Sequence, residues 1–227
     1  MNDPVTNRFG CHDSQAASYD ARVVRNAREP GSYIRENYFT ILERVVELCQ
    51  PDPGTRILDI GIGTGLLTER LPVGVEVYGI DISGRMLEMA QGKKLPVVLA
   101  FAEFSHIPFA NESFDRVVSS FAFHHVPYPG KDDALREIDR VARPGGKITI
   151  ADFMFEDERQ KQSLIDSFPG PQRESLIGDI DDEYFTFIDR AKAVLDGMGY
   201  AVTCERGSTI TWIIQATKSG KENSFGS

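Results

Sequence analysis

Three short stretches carry residue types that could do chemistry. In Asp59-Ile60-Gly61-Ile62-Gly63-Thr64-Gly65, three glycines alternate directly after an apolar run. Bare backbone of this kind admits a ligand closely, and unpaired N–H groups where a helix begins can meet it. Asp81 ends the next apolar run, Val77-Tyr78-Gly79-Ile80, about 20 residues past Gly61, where a carboxylate can take ribose hydroxyls. Phe121-Ala122-Phe123-His124-His125 follows a later run, and a histidine pair can accept a proton from a hydroxyl, amine or thiol. The plainer alternative is that one imidazole packs and bonds backbone while the other is solvated. Asp59 either orients the glycine loop by accepting N–H bonds or caps the helix beyond it. The dinucleotide fingerprint wants a small residue at its sixth position, which here is Leu66. A nucleoside ligand is therefore favoured over a dinucleotide, and a dehydrogenase is remote.

Positioning these groups requires strands that end on one rim. Ile57 to Ile60, Val77 to Asp81, Val97 to Phe101, Phe114 to Phe121 and Lys147 to Phe153 read as five strands. Between them lie helical patterns: Ser32 to Cys49 with Ser32 as N-cap, Leu66 to Leu71, a helix capped by Ser83, and Lys131 to Ala142. Arg143-Pro144-Gly145-Gly146 is a sharp terminator. Strands alternating with helices predict an α/β, doubly wound parallel sheet, with ligand at the strand C-termini. Beyond it, a helix over Glu156 to Phe168, a break at Pro169-Gly170-Pro171 and a long helix over Asp182 to Met198 are expected. Asp179, Asp181, Asp182 and Glu183 would then precede that helix, where negative charge suits its dipole. Tyr200 to Arg206 and Thr209 to Ala216 flank Gly207-Ser208 as a β-hairpin.

The 227 residues are read as one domain. Residues 1–50 form an N-terminal helical lid, 51–155 a cofactor-binding core, 156–199 cover helices, 200–217 a hairpin and 218–227 a disordered tail. No apolar run is long enough to span a membrane, and the N-terminus lacks an apolar signal core. Three widely spaced cysteines suit neither zinc nor a disulfide framework, so a cytoplasmic setting is expected. A net charge of −9 without a basic stripe disfavours nucleic acid.

The spacing D-x-G-x-G-x-G with an acid ending the next strand resembles the class I S-adenosylmethionine-dependent methyltransferases. That resemblance implies a Rossmann-like seven-stranded sheet in the order 3-2-1-4-5-7-6, with an antiparallel last strand. It also implies S-adenosyl-L-methionine as cofactor, with no metal needed. The cofactor positions carry over to Gly61, Asp81 and Glu103. Asp81 would hold both ribose hydroxyls, and Glu103, where the family usually has Asp, would accept from the adenine amino group. Asp59, Gly63, Gly65, Ile82, Ala102, Phe104 and Ser120 would complete the contacts, and Tyr19 would reach them from the lid. The acceptor would sit by Ser120 to His125, making His124 and His125 the candidate catalytic residues. At a finer level, Ala17-Ser18-Tyr19-Asp20, the Phe121 to His125 stretch, Ala151-Asp152-Phe153-Met154-Phe155-Glu156 and the Trp212 strand resemble the YrrT-like group of small bacterial methyltransferases. The expected activity is methyl transfer to a small molecule. The alternatives are a quinone-type C-methyltransferase and a non-catalytic S-adenosylmethionine-binding protein.

Overall fold

The computed structural model describes residues 16–29 and 33–218. Residues 1–15, the expected breaker Pro30-Gly31, the expected cap Ser32 and the tail from 219 onward lie outside the described residues. The apolar runs form β1 (Arg56–Ile60), β2 (Glu76–Asp81), β3 (Val97–Phe101), β4 (Phe114–Ser120) and β5 (Ala142–Phe155). The chain then adds β6 (Thr186–Phe187), β7 (Tyr200–Arg206) and β8 (Thr211–Lys218). They order as β3-β2-β1-β4-β5-β8-β7, and β6 pairs only with the end of β5. Without that two-residue strand the order is the expected one, with the last strand antiparallel to both neighbours.

Alternation along the strands builds two cores, because successive side chains leave opposite faces. Leu58, Val117 and Ile148 face one cluster, whereas Ile57 and Val118 face the other. The first face is covered by α4 (Tyr128–Val141), through Leu135 and Ile138, and by α7 (Ile188–Gly197), through Leu195. The second is covered by α2 (Tyr38–Cys49), which buries Ile41, Leu42 and Val45. Each such side chain contributes about 1.5–3 kcal/mol by leaving water. Ser83 caps α3 (Gly84–Gly92) as expected, accepting from the Met86 N–H at 3.1 Å.

Several expectations need correcting. The residues after the glycine loop make only a 3-10 turn, Thr68–Arg70, not a helix. The expected helix over Ser32 to Cys49 starts at Tyr38, after Asn37 adopts a left-handed conformation. The helix before β5 starts earlier than Lys131, because Pro129 suits a first helical turn. The long helix over Asp182 to Met198 does not exist. Instead α5 (Glu158–Ser167) and α6 (Gly170–Asp182) are followed by Tyr184 to Phe187, and α7 begins at Ile188. The Tyr184 N–H bonds the His124 carbonyl at 3.0 Å, and Phe185 packs on Phe153 and Phe155. Aromatic burial thus overrides the helical pattern there. The acids Asp179, Asp181 and Asp182 consequently close a helix rather than precede one, so the dipole reading fails. Lys218, assigned to the tail, ends β8.

The described part of the N-terminal segment is packed. Its helix α1 (Tyr19–Ala27) buries Val23 in the second core, and Ala16 just ahead of it is also buried. Asp20 accepts from the Thr64 hydroxyl of the glycine loop at 2.5 Å and pairs with Lys93 at 2.6 Å.

At the end of β1, the Asp59 carboxylate accepts from the Thr68 hydroxyl at 2.8 Å, while its other oxygen is buried without a hydrogen-bond partner. Burial pushes this carboxyl up to about 7, against the Thr68 bond and with Asp81 adding to the rise. The unfolded chain releases that proton near 3.8. Asp59 therefore contributes stability that is full below about pH 4 and is lost as pH rises to about 7. Urea denaturation across that range should show Asp59→Asn gaining on the wild type as pH rises. A stability difference that stays flat with pH would assign the buried proton elsewhere.

Candidate functional site

The glycine loop turns at the C-terminal end of β1, and Gly61, Gly63 and Gly65 all have positive φ. Gly61 has no room for a side chain: a Cβ there would lie 2.3 Å from the Ala122 Cβ. The loop after β4 therefore sits directly against the first glycine. Asp81 locks the other side. Its carboxylate accepts from the Gly63 N–H at 2.8 Å and from the Ser83 N–H at 2.8 Å. Burial raises the Asp81 carboxyl above its ordinary value, and these N–H bonds oppose the rise. Asp81 thus holds the glycine loop to the start of α3, a role not anticipated from the sequence.

Glu103 lies on the same rim, since the Ala102 N–H bonds the Asp81 carbonyl at 3.1 Å. It is exposed and forms a small bridge with His106. Phe104 packs edge-on to Phe123 at 5.4 Å and lies 3.9 Å from where a Gly61 Cβ would be. Ile82 is half-buried beside Asp81, and its N–H also reaches that carboxylate. Ser120 ends β4 opposite Ala151. Tyr19 opens α1 and lies beneath the guanidinium groups of Arg22 and Arg35. Most of the expected cofactor residues thus gather around one rim, and Asp59 sits just beneath it.

His124 and His125 occupy a 3-10 turn, Phe123–His125, with ring centroids 4.0 Å apart. Each has its own carboxylate. His124 Nδ1 lies 2.5 Å from Asp152 Oδ1, while its backbone N–H donates to Oδ2 at 2.8 Å. Asp152 is fully buried on β5. Burial alone would raise its carboxyl, but His124, Lys131 and the Phe153 N–H together hold it below the ordinary range. An ionised carboxylate only accepts, so the neutral form of the His124 ring keeps its proton on Nδ1 and carries its lone pair on Nε2. His125 Nδ1 lies 3.1 Å from Glu183 Oε2. Burial and the neighbouring His124 lower the His125 imidazole, with Glu183 opposing. Lys131 is buried below the turn, donates to the Phe123 carbonyl at 2.8 Å and is pushed down to about 7 by burial.

Asp152, Glu183 and Lys131 were missed as site residues. Asp152 had a readable signal, an acid inside the apolar run Ala151-Asp152-Phe153-Met154, because a buried carboxylate demands partners. Glu183 had none, since its neighbours read as a helix start. Among the described residues, His124, His125 and Glu183 also place one potential ligand atom each within 4.8 Å of one another. A divalent cation could bridge that spacing with modest movement. In the present geometry they form two acid–imidazole pairs.

The chain matches a family described as a methyltransferase domain over residues 58–150. A protein of Alkaliphilus oremlandii, described as an uncharacterized methyltransferase, is 34% identical over 92% of this chain and 96% of its own. A similarly described protein of Staphylococcus carnosus is 35% identical over 89% of this chain and 95% of its own. Among solved structures, magnesium protoporphyrin IX methyltransferase from Synechocystis PCC 6803 with bound SAH aligns with a TM-score of 0.67 at 18% identity, covering 93% of this chain and all of that one. A SAM-dependent methyltransferase from Aquifex aeolicus aligns at 0.61 with 22% identity, covering 90% and 97%. The likeness spans the glycine loop, Asp81 and the histidine turn alike, and the chain belongs to the class I S-adenosylmethionine-dependent methyltransferases.

Proposed function

We propose that this enzyme methylates a small-molecule acceptor carrying a hydroxyl, amine or thiol, with His124 as the base. The observation that carries this reading is the His124–Asp152 pair, next to a loop that touches the first glycine of the cofactor loop. In the reaction, the acceptor's lone pair attacks the methyl carbon in line with the carbon–sulfur bond. That bond breaks, and its electron pair goes to sulfur. The acceptor's proton passes to His124 Nε2, and ionised Asp152 stabilises the resulting imidazolium. The protein's larger contribution is position, because a near-attack distance of about 3 Å with water excluded removes much of the barrier. Helix α1, bonded to the glycine loop through Asp20 and Thr64, supports a role as cover.

A turnover screen over small thiols, amines, phenols and quinones, reading S-adenosylhomocysteine release, tests the reading. Release with a quinone alone would overturn it. Once an acceptor is found, His124→Ala should lower kcat by about 10²–10⁴-fold, the range of lost general-base catalysis. Affinity for S-adenosylhomocysteine should stay within about twofold, and an unchanged kcat would remove His124 from the chemistry. Chelation by EDTA should leave turnover intact, whereas loss restored by a divalent cation would hand the histidines to a metal.

Asp81→Ala should weaken S-adenosylhomocysteine binding at least about tenfold, because charged hydrogen bonds contribute about 1.5–3 kcal/mol each. The substitution also frees the Gly63 and Ser83 N–H groups, so calorimetry should be paired with a melting curve. Unchanged affinity would show that the carboxylate serves the loop alone.

A further inference from the structure

We propose that Arg35 forms a carboxylate-binding site at the rim, between α1 and the end of β4. Its guanidinium carbon lies 5.1 Å from the Tyr38 ring centroid, 5.7 Å from Phe121 and 5.8 Å from Tyr19. Its Nη1 is buried and has no hydrogen-bond partner. Aromatic faces attract a cation but do not accept its N–H protons in the plane of the fork. Leaving a buried guanidinium N–H without an acceptor is costly. Arg44, Arg140, Arg143 and Arg190 each hold a carboxylate at 3.1 Å or less. With 34 acids against 25 lysines and arginines, a partner was available in composition. Asp20, next to Tyr19, is instead engaged by Lys93 and Thr64.

The surroundings fix where an anion would come from. Phe121 is held at a positive φ of 51, stacked on Tyr38 at 4.6 Å, with its N–H on the Ala151 carbonyl at 2.8 Å. Its neighbour Ala122 is the residue that crowds Gly61. On the opposite side, Tyr19 precedes Asp20, which grips Thr64 of the glycine loop. Arg35 is thus flanked on two sides by residues adjoining that loop. A ligand lying on the loop would bring a carboxylate to a planar fork that matches it with two parallel hydrogen bonds. The carboxylate can belong to the amino-acid part of S-adenosylmethionine or to the acceptor. Only the second source rests on the proposed acceptor chemistry.

Calorimetry on the full chain separates the two sources, using S-adenosylhomocysteine and 5′-methylthioadenosine, which lacks the amino-acid part. If the cofactor supplies the group, Arg35→Met should lose at least about tenfold in affinity for S-adenosylhomocysteine. It should keep 5′-methylthioadenosine within about twofold, and Arg35→Lys should fall between the wild type and Arg35→Met. If the acceptor supplies it, both cofactor affinities persist in Arg35→Met, while kcat/KM falls about tenfold or more for acceptors with a carboxylate and not for those without. Equal losses for both nucleosides would make Arg35 a packing residue and overturn the proposal. So would unchanged binding together with unchanged turnover. Should Arg35→Met fail to fold, Arg35→Lys and Arg35→Gln read the same comparison. Binding of S-adenosylhomocysteine by the wild type checks the cofactor itself, independently of Arg35.

Discussion

The contact between Gly61 and Ala122 is the constraint on which the rest of the site depends. At 2.3 Å from the Ala122 Cβ, position 61 admits no side chain, and its positive φ would strain any residue that had one. Two loops that leave adjacent strands, β1 and β4, are thereby pressed together. One carries the bare backbone that a cofactor can approach, and the other carries the histidine turn. A parallel sheet puts both loops on one rim, but it does not by itself make them touch. Absence of a side chain at one position does that. Alanine would force either the Phe121 to His125 turn or the glycine loop to move.

Cross-bonds then hold this pair of loops from three sides. Asp81 ties the glycine loop to the start of α3, and Asp20 ties it to α1. The Tyr184 N–H and Glu183 tie the histidine turn to the segment after α6. Helix α6 itself is joined to the N-terminal side by Tyr33, whose hydroxyl donates to Asp179 at 2.5 Å. These contacts together join sequence-distant elements around the two loops. Apolar packing through Val23, Ile165, Leu176 and Phe185 backs these polar contacts.

This distribution explains which parts of the molecule were legible from the chain alone. The strands β1 to β5 announce themselves because short apolar runs suit the strands of a parallel sheet, even though the edge strand β3 leaves Val98 and Phe101 exposed. The glycine loop and Asp81 are legible because their spacing along the chain is short and fixed by the strand–loop–strand path. Ser83 was legible as a cap for the same local reason. Tyr184 to Phe187 were not, because nothing local opposes a helix there. What breaks it is Phe185 packing on Phe153 and Phe155, and a backbone bond to His124 some sixty positions earlier. Arg35 and Lys131 read locally as ordinary charged helix-flanking residues. Only tertiary placement removes one from any carboxylate and the other from water.

Three aspartates, at 59, 81 and 152, show how the same side chain acquires three electrostatic characters within one rim. Asp59 and Asp152 are fully buried and Asp81 is half-buried, and in each case burial raises the carboxyl toward its neutral form. Asp59 has one hydroxyl to offset this, and it is carried up to about 7. Asp81 has backbone N–H groups on both oxygens, which oppose the rise that burial causes, and it stays raised. Asp152 has the His124 ring, two backbone N–H groups and the nearby Lys131, and it alone ends below the ordinary value. The order follows the number and charge of the partners, not the depth of burial. Negative charge is thus held most firmly under the imidazole, where it fixes the proton on Nδ1 and leaves Nε2 basic. His124 does most to keep that carboxyl ionised so far from solvent, and Lys131, itself pushed down to about 7 by burial, adds to it from below the turn.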